Sequence, residues 1–321
     1  MILVTGCSGF IGMHSCIKLL KKNYKVIGID NLNDYYSISL KEDRLKVLKT
    51  FPNFIFSHCD IADEKNLKNI FNTYKIDYVL HLAAQAGVRY SISNPQAYVK
   101  SNVQGFVNLL EEIKDSQVIN TVYASSSSVY GSNTKVPFSE DDFVSNQVSL
   151  YASTKLSNES IANAYNSIYK IPIIGLRFFT VYGPWGRPDM APWIFTEKII
   201  KGEKIKVFNN GNMSRDFTYV DDIVSGTIDA LLCLNYDSHE IFNIGNNSPI
   251  KLMDFIIHIE KILEKKASID FMPMQKGDVL TTYADIDKLF KAVNYIPKTS
   301  IHDGMKSFIE WYKNYFDTIN D

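Results

Sequence analysis

Tyr151 and Lys155 stand four residues apart in Leu150-Tyr-Ala-Ser-Thr-Lys155, a spacing that stacks two side chains on one face of a helix. An ammonium beside a phenol favours the ionised form, so a group that ordinarily titrates near pH ~10 becomes a usable general base closer to neutrality. Alone, the pair reads more readily as an incidental tyrosine and lysine on a surface helix. Two other features change that. The run Ser125-Ser-Ser-Ser128 lies just upstream, behind an apolar stretch, and Gly6-Cys-Ser-Gly9-Phe-Ile-Gly12 opens the chain. A base, a hydroxyl run and a glycine-rich loop together suggest redox chemistry on a hydroxyl group.

Gly6, Gly9 and Gly12 form Gly-x-x-Gly-x-x-Gly, a variant of the dinucleotide-binding loop. Glycines permit the tight strand-to-helix turn and close backbone approach, while the helix N-terminus offers free N–H groups to a pyrophosphate. A glycine triplet alone is weak; this one follows an apolar run and precedes a helical pattern. Asp30 then ends the next strand at the expected distance. A carboxylate there accepts from a ribose 2′-hydroxyl and repels a 2′-phosphate, and no arginine adjoins it in sequence, so NAD is expected in preference to NADP.

These groups need elements to hold them. Ile2 to Thr5, Lys25 to Asp30, Phe54 to Ser57, Tyr78 to Leu82, Val118 to Ala124 and Ile173 to Phe178 read as strands, with helical stretches between most of them, which predicts a parallel sheet covered on both faces. Beyond residue 178 the pattern loosens. Tyr182-Gly-Pro-Trp-Gly-Arg-Pro and the polar segment Asn209 to Asp216 read as loops, with helices near 192–201, over Asp221 to Leu234, Leu252 to Glu264 and His302 to Tyr315. No repeat or low-complexity linker divides the chain, so tightly packed lobes that exchange segments are expected.

Composition narrows the partners. With 321 residues, 45% hydrophobic, 21% charged and a net charge of -1, the chain has no basic excess for nucleic acid, and any anion must be held by local groups. The four cysteines, Cys7, Cys16, Cys59 and Cys233, are scattered without metal-ligand spacing, so no metal is expected. A first strand without a basic leader, and no apolar run near ~20 residues, point to a cytoplasmic protein without a membrane span.

With loop, serine run and Tyr151/Lys155 in this order, the chain resembles the extended short-chain dehydrogenases/reductases over nearly its whole length. Among them it is most similar to nucleotide-sugar epimerases, in particular the branch acting on UDP-glucuronate. The stretches that carry the resemblance are Asp30 to Tyr36, His81 to Tyr90, Tyr123 to Gly131, Arg177 to Pro184 and Ser214 to Asp222. It implies an α/β fold: a Rossmann-like doubly wound parallel sheet with a smaller C-terminal α/β substrate-binding domain. Residues 1–178, also receiving segments from about 215–245, would bind NAD, and 179–321 the UDP-sugar. Matched motif by motif, the cofactor would meet Gly6, Ser8, Gly9, Phe10, Ile11, Gly12, Asp30, Asn31, Asp60, Ile61, Leu82, Ala83, Ala84, Gln85 and Asn102, besides Tyr151 and Lys155.

The resemblance also implies a mechanism. Tyr151 takes the C4 hydroxyl proton while hydride passes to NAD, Ser126 polarises the same oxygen, and Lys155 lowers the phenol pKa and holds the nicotinamide ribose. The 4-keto sugar then rotates and is reduced on its other face. Ser126 precedes Gly131 at the family's spacing, although a run of serines leaves the register open by one or two positions. Ser127, Ser128, Thr180 and Arg187 are candidates for a C5 carboxylate, which needs donors when buried; Arg89, Arg215 and Asp278 match positions near the diphosphate and uridine. Thr180 stands where UDP-glucose epimerases commonly carry Asn. A UDP-glucose or UDP-N-acetylhexosamine 4-epimerase, a UDP-glucuronate decarboxylase and a non-catalytic NAD-sensing protein are the alternatives; a 4,6-dehydratase would need an acid and a base where this chain has Ser127 and Ser128. A homodimer through helices over Asn94 to Glu112 and Ser153 to Tyr169 is expected from the family.

Overall fold

The structure, a computed structural model, describes residues 1–275 and 277–320. The first part of the chain alternates strictly: β1 (Ile2–Thr5), α1 (Phe10–Lys21), β2 (Val26–Asp30), α2 (Ile38–Lys49), β3 (Phe54–His58), α3 (Glu64–Thr73) and β4 (Tyr78–His81). Two short helices, α4 (Tyr90–Ser93) and α5 (Pro95–Tyr98), lead through a π-helical turn over Val99–Gln104 into α6 (Gly105–Lys114). Next come β5 (Asn120–Ser126), a 3-10 turn over Ser127–Tyr130, α7 (Leu150–Tyr169), β6 (Ile173–Phe178) and β7 (Thr180–Tyr182). The remainder comprises α8 (Ala191–Lys201), β8 (Lys204–Phe208), β9 (Ser214–Tyr219), α9 (Val220–Cys233), β10 (Glu240–Ile244), β11 (Pro249–Lys251), α10 (Leu252–Leu263), β12 (Ser268–Met272), α11 (Asp287–Val293) and α12 (Ile301–Asn320).

The main sheet has seven strands in the order β10-β6-β5-β4-β1-β2-β3, every pairing parallel. The order in which strands are added reverses between β1 and β4, and this switch point is the crevice where doubly wound sheets bind dinucleotides. Alternate residues feed opposite faces, as the period of a strand requires: Val4, Leu80, Val122 and Ile174 enter one core cluster, and Leu3, Val79, Tyr123 and Ile173 the other. A third cluster, around Trp193, Phe217, Phe255, Phe308 and Tyr312, lies among the elements after β6. Phe217 and Phe255 stack there at 4.4 Å. Those elements carry a three-stranded sheet, β11-β9-β7, and a two-stranded one, β12-β8. The expected fold, a Rossmann-like parallel sheet with smaller sheets contributed by the C-terminal part, is the one observed.

Differences from the sequence expectations have local causes. β5 begins two residues later than Val118 and runs through Ser126, because its parallel register with β6 extends to Ser126 opposite Phe178. The last three residues of the polar segment Asn209 to Asp216 are not loop but the start of β9. The buried Asp216 carboxylate there accepts the N–H groups of Asn246 (2.7 Å) and Ala284 (3.0 Å), so it serves as a junction for two other segments. β10, which no periodicity marked, joins the main sheet beside β6. Among the described residues no helix is long and apolar enough to cross a membrane.

Candidate active site

The glycine loop sits between β1 and α1, facing the end of β4. Gly6 has φ +72°, and a Cβ there would come within 2.8 Å of the Ala83 nitrogen, so neither backbone nor neighbour accepts a side chain. The first turn of α1 has no acidic residue, and Gly9 supplies no side-chain cap; its free N–H groups stay open to an anion. Asp30 accepts from the Ser8 N–H at 3.0 Å and the Leu32 N–H at 2.9 Å. A carboxylate has about four lone-pair sites, so acceptor capacity remains for ribose hydroxyls. Burial pushes the Asp30 carboxyl above its ordinary value against those two hydrogen bonds and the charges of Lys41 and Arg44. Neither cation adjoins Asp30 in sequence. Arg44 is fully buried and spends its amino groups on the Ser8, Trp185 and Gly186 carbonyls and the Tyr36 hydroxyl, while Lys41 donates to Asn33. The residues present therefore fit a dinucleotide with a free 2′-hydroxyl.

Leu82 and Ala83 both donate their N–H groups to the Thr5 hydroxyl, at 3.2 and 3.1 Å. That hydroxyl in turn lies 2.8 Å from His81 Nδ1. Burial pushes His81 down to about 3, so its ring is neutral; with both lone pairs of the Thr5 hydroxyl taken by the two N–H groups, that hydroxyl donates and Nδ1 accepts. Asp60 accepts from the Ala62 N–H, and Lys100 lies 3.7 Å from its carboxylate. Ile61 packs where Gly105 has no side chain, and the Asn31 side chain accepts from Asn33 N–H. Phe10 is buried in the first turn of α1, with Ile11 half-buried beside it. Asn102 is buried beside this loop. Its amide donates to the Gln85 carbonyl and the Thr154 hydroxyl, both at 3.0 Å, and accepts from Gln85 N–H at 2.7 Å. The π-helical turn places this side chain as a bracket between the Leu82, Ala83, Ala84, Gln85 loop and α7.

α7 starts where the Ser149 hydroxyl accepts the Ala152 N–H, and it stops at Lys170 in the left-handed region. Tyr151 lies in its first turn, half-buried, with the Tyr98 ring edge-on at 6.1 Å. Of the serine run, Ser126 is the residue whose hydroxyl is hydrogen-bonded to the Tyr151 phenol. Ser125, on the opposite face of the strand, donates to Glu159 at 2.5 Å. Burial raises the phenol above its ordinary value; the Ser126 hydrogen bond and then the Arg187 charge oppose it. Lys155 is not among those influences. Its ammonium donates to the Ala124 carbonyl at 2.6 Å, and burial pushes it down to about 8 against the pull of Glu159. In this structure Ser126 and Arg187 are the groups that lower the phenol, while the Ala124 carbonyl near the end of β5 holds the lysine.

Thr180 opens β7 opposite Phe217 of β9, with Ser127 and Ser128 half-buried in the turn after β5. Arg187 is clasped by its own neighbour: Nε donates to Asp189 at 2.9 Å and an amino group to the other oxygen at 2.5 Å. Arg89, Asp278 and Arg215 come together from distant segments. Arg89 donates to Asp278 at 3.3 Å and lies 5.2 Å over the Phe208 ring. Arg215 donates to the Ser214 and Leu280 carbonyls, and burial lowers its pKa against the field of Asp278.

Sequence reasoning missed Arg44, Lys41, Tyr35, Asp189, Phe208 and Glu159. Glu159 alone left a readable signal, one more helical turn along the face that carries Tyr151 and Lys155.

The NAD dependent epimerase/dehydratase family matches residues 2–245. Protein CapI of Staphylococcus aureus is 48% identical over 98% of this chain and 99% of its own. UDP-glucuronate 4-epimerase 2 of Arabidopsis thaliana is 46% identical over 98% of this chain and 76% of its own. Among solved structures, UDP-glucuronic acid 4-epimerase from Bacillus cereus in complex with UDP-glucuronic acid and NAD superposes with a TM-score of 0.93 at 37% identity, covering 98% of this chain and 99% of that one. An open glycine cradle, a free-acceptor Asp30 and a phenol hydrogen-bonded to a serine agree with these likenesses: the chain belongs to the NAD dependent epimerase/dehydratase family.

Proposed function

We propose that the protein inverts C4 of UDP-glucuronate to give UDP-galacturonate through a 4-keto sugar. The observation that carries the reading is Arg187, a guanidinium close enough to the Tyr151 phenol to lower its pKa. A cation beside the base of a sugar oxidation suits a substrate with a carboxylate on the carbon next to the reacting one. Bound NAD supplies the acceptor of the C4 hydride and its donor on return. Tyr151, as phenolate, takes the C4 hydroxyl proton and later gives it back; Ser126 shares that oxygen. Lys155, released from Ala124, would hold the nicotinamide ribose. Arg89 and Arg215 would bind the diphosphate, with Asp278 near the uridine. Residues 1–178 with the returning β10 would form the NAD lobe, and the elements after β6 the sugar lobe.

A 4-keto uronic acid is a β-keto acid and loses carbon dioxide when its C–C bond aligns with the carbonyl π system. Ser127, Ser128 and Thr180 would hold the carboxylate out of that alignment. The test is incubation of purified protein with UDP-glucuronate and identification of products by NMR. UDP-galacturonate with little UDP-pentose is expected. UDP-pentose as the main product would move the assignment to a decarboxylase, and no conversion with NAD retained would move it to a non-catalytic NAD-binding protein.

A further inference from the structure

The cation assigned to the sugar acid already holds an anion of its own chain. Arg187 meets Asp189 through two parallel hydrogen bonds, and the Tyr35 hydroxyl donates to the same carboxylate at 2.9 Å. The guanidinium lies 5.9 Å over the Tyr35 ring. The Arg187 and Asp189 side chains keep only 20% and 31% of their exposure, so the pair is partly withdrawn from solvent screening. Burial works against the ionised form of Asp189, but the charge and hydrogen bonds of Arg187 outweigh it and keep the carboxyl below its ordinary value.

Two consequences follow from this geometry. An arginine has five N–H donors in a rigid fork; Asp189 takes one edge, which fixes the plane of the guanidinium and leaves the remaining donors for a ligand. Asp189 also cancels much of the Arg187 charge as seen by that ligand. A bare, partly buried cation would favour a carboxylate over a neutral group strongly, whereas a compensated one favours it less.

We propose that Asp189, anchored by Tyr35, is a specificity-determining positioning residue: it orients Arg187 and lowers the preference of the site for a carboxylate over a neutral group at C5. This rests on the UDP-glucuronate reading, in which Arg187 faces the sugar acid. The charge of Asp189, not the mere presence of Arg187, then sets the acid-to-neutral ratio.

The test compares Asp189→Asn, nearly isosteric, with the parent chain, both in a Tyr151→Phe background to prevent turnover. Calorimetry of the NAD-bound proteins gives dissociation constants for UDP-glucuronate and UDP-glucose. The ratio favouring the acid is expected to rise about tenfold, and to be unchanged by Asp189→Asn when Arg187→Met is also present. With Tyr151 intact, Asp189→Asn should move the acidic limb of the kcat profile to lower pH, because an uncompensated Arg187 favours the phenolate. An unchanged ratio and an unmoved limb would overturn the proposal. Should Asp189→Asn fail to fold, Tyr35→Phe is expected to move both readouts the same way by less, and no movement there overturns it too. Conversion of UDP-glucuronate by the unaltered protein judges the function reading separately: its absence, with the binding ratio still shifted, would sink that reading and leave the ion pair as the determinant of acid binding.

Discussion

Tyr151 must lose a proton to act as a base, and its surroundings pull in opposite directions. Burial raises the phenol, and the Ser126 hydrogen bond is the stronger of the two influences opposing it. Removing that hydroxyl leaves the phenolate with Arg187 alone, so the pKa rises further. The ionised fraction at a given pH then falls, and the acidic limb of kcat moves to higher pH. Ser126→Ala is expected to show that displacement together with a loss of about 10²–10⁴ in kcat; a lowered kcat with an unmoved limb would mean that Ser126 does not act on the phenolate. The partnership of Tyr151 and Lys155 was legible because it is local, set by helical spacing. The rest of their environment was not. Lys155 reaches Ala124 across 31 residues of chain, and only the turn of β5 that sends Ser125 to Glu159 settles which serine meets the phenol.

At the level of elements, β5, α7 and β6 are bolted together behind the base. Glu159 accepts from Arg177 Nε at 2.9 Å and its amino group at 2.8 Å, and from Ser125 at 2.5 Å. Arg177 also lies 4.8 Å over the Tyr130 ring. Both charged side chains are nearly out of reach of water, at 5% and 8% exposure. Removing one partner of such a pair strands the other charge, at a cost of about 3–5 kcal/mol. Glu159→Gln is therefore expected to lose about that much stability in urea unfolding, while Glu159→Leu with Arg177→Met should recover most of it. A single variant as stable as the parent would refute the role. Strands β1, β4 and β6 were readable from apolar runs bounded by turns. β10 was not: it is five residues long, and it joins the sheet beside β6 only after the chain has built β7, β8 and β9. The π-helical turn that aims Asn102 at Gln85 leaves no mark in apolar periodicity either.

Across the whole molecule, the sequence pattern separated a nucleotide-binding half from a looser half, but it did not show what joins them. Arg44 does much of this. Its side chain is 0% exposed and touches the glycine loop at the Ser8 carbonyl, the Tyr36 hydroxyl, and the carbonyls of Trp185 and Gly186 in the loop that carries Arg187. His14, one turn into α1, reaches the same loop through the Pro184 carbonyl at 2.9 Å. These contacts span up to 170 residues of sequence, which is why periodicity could not disclose them. A lysine at position 44 keeps the charge but is a single point donor without the fork, so it cannot hold both loops at once. Arg44→Lys is then expected to weaken NAD retention and raise KM for the UDP-sugar in the same protein, because one side chain serves both cradles. The first is read from the NAD released on heating after gel filtration, the second from initial rates with NAD added to saturation. If saturating NAD restores KM completely, the contacts of Arg44 to the Trp185 and Gly186 carbonyls contribute nothing of their own; if KM stays raised, the arginine ties the cofactor loop to the loop that carries Arg187.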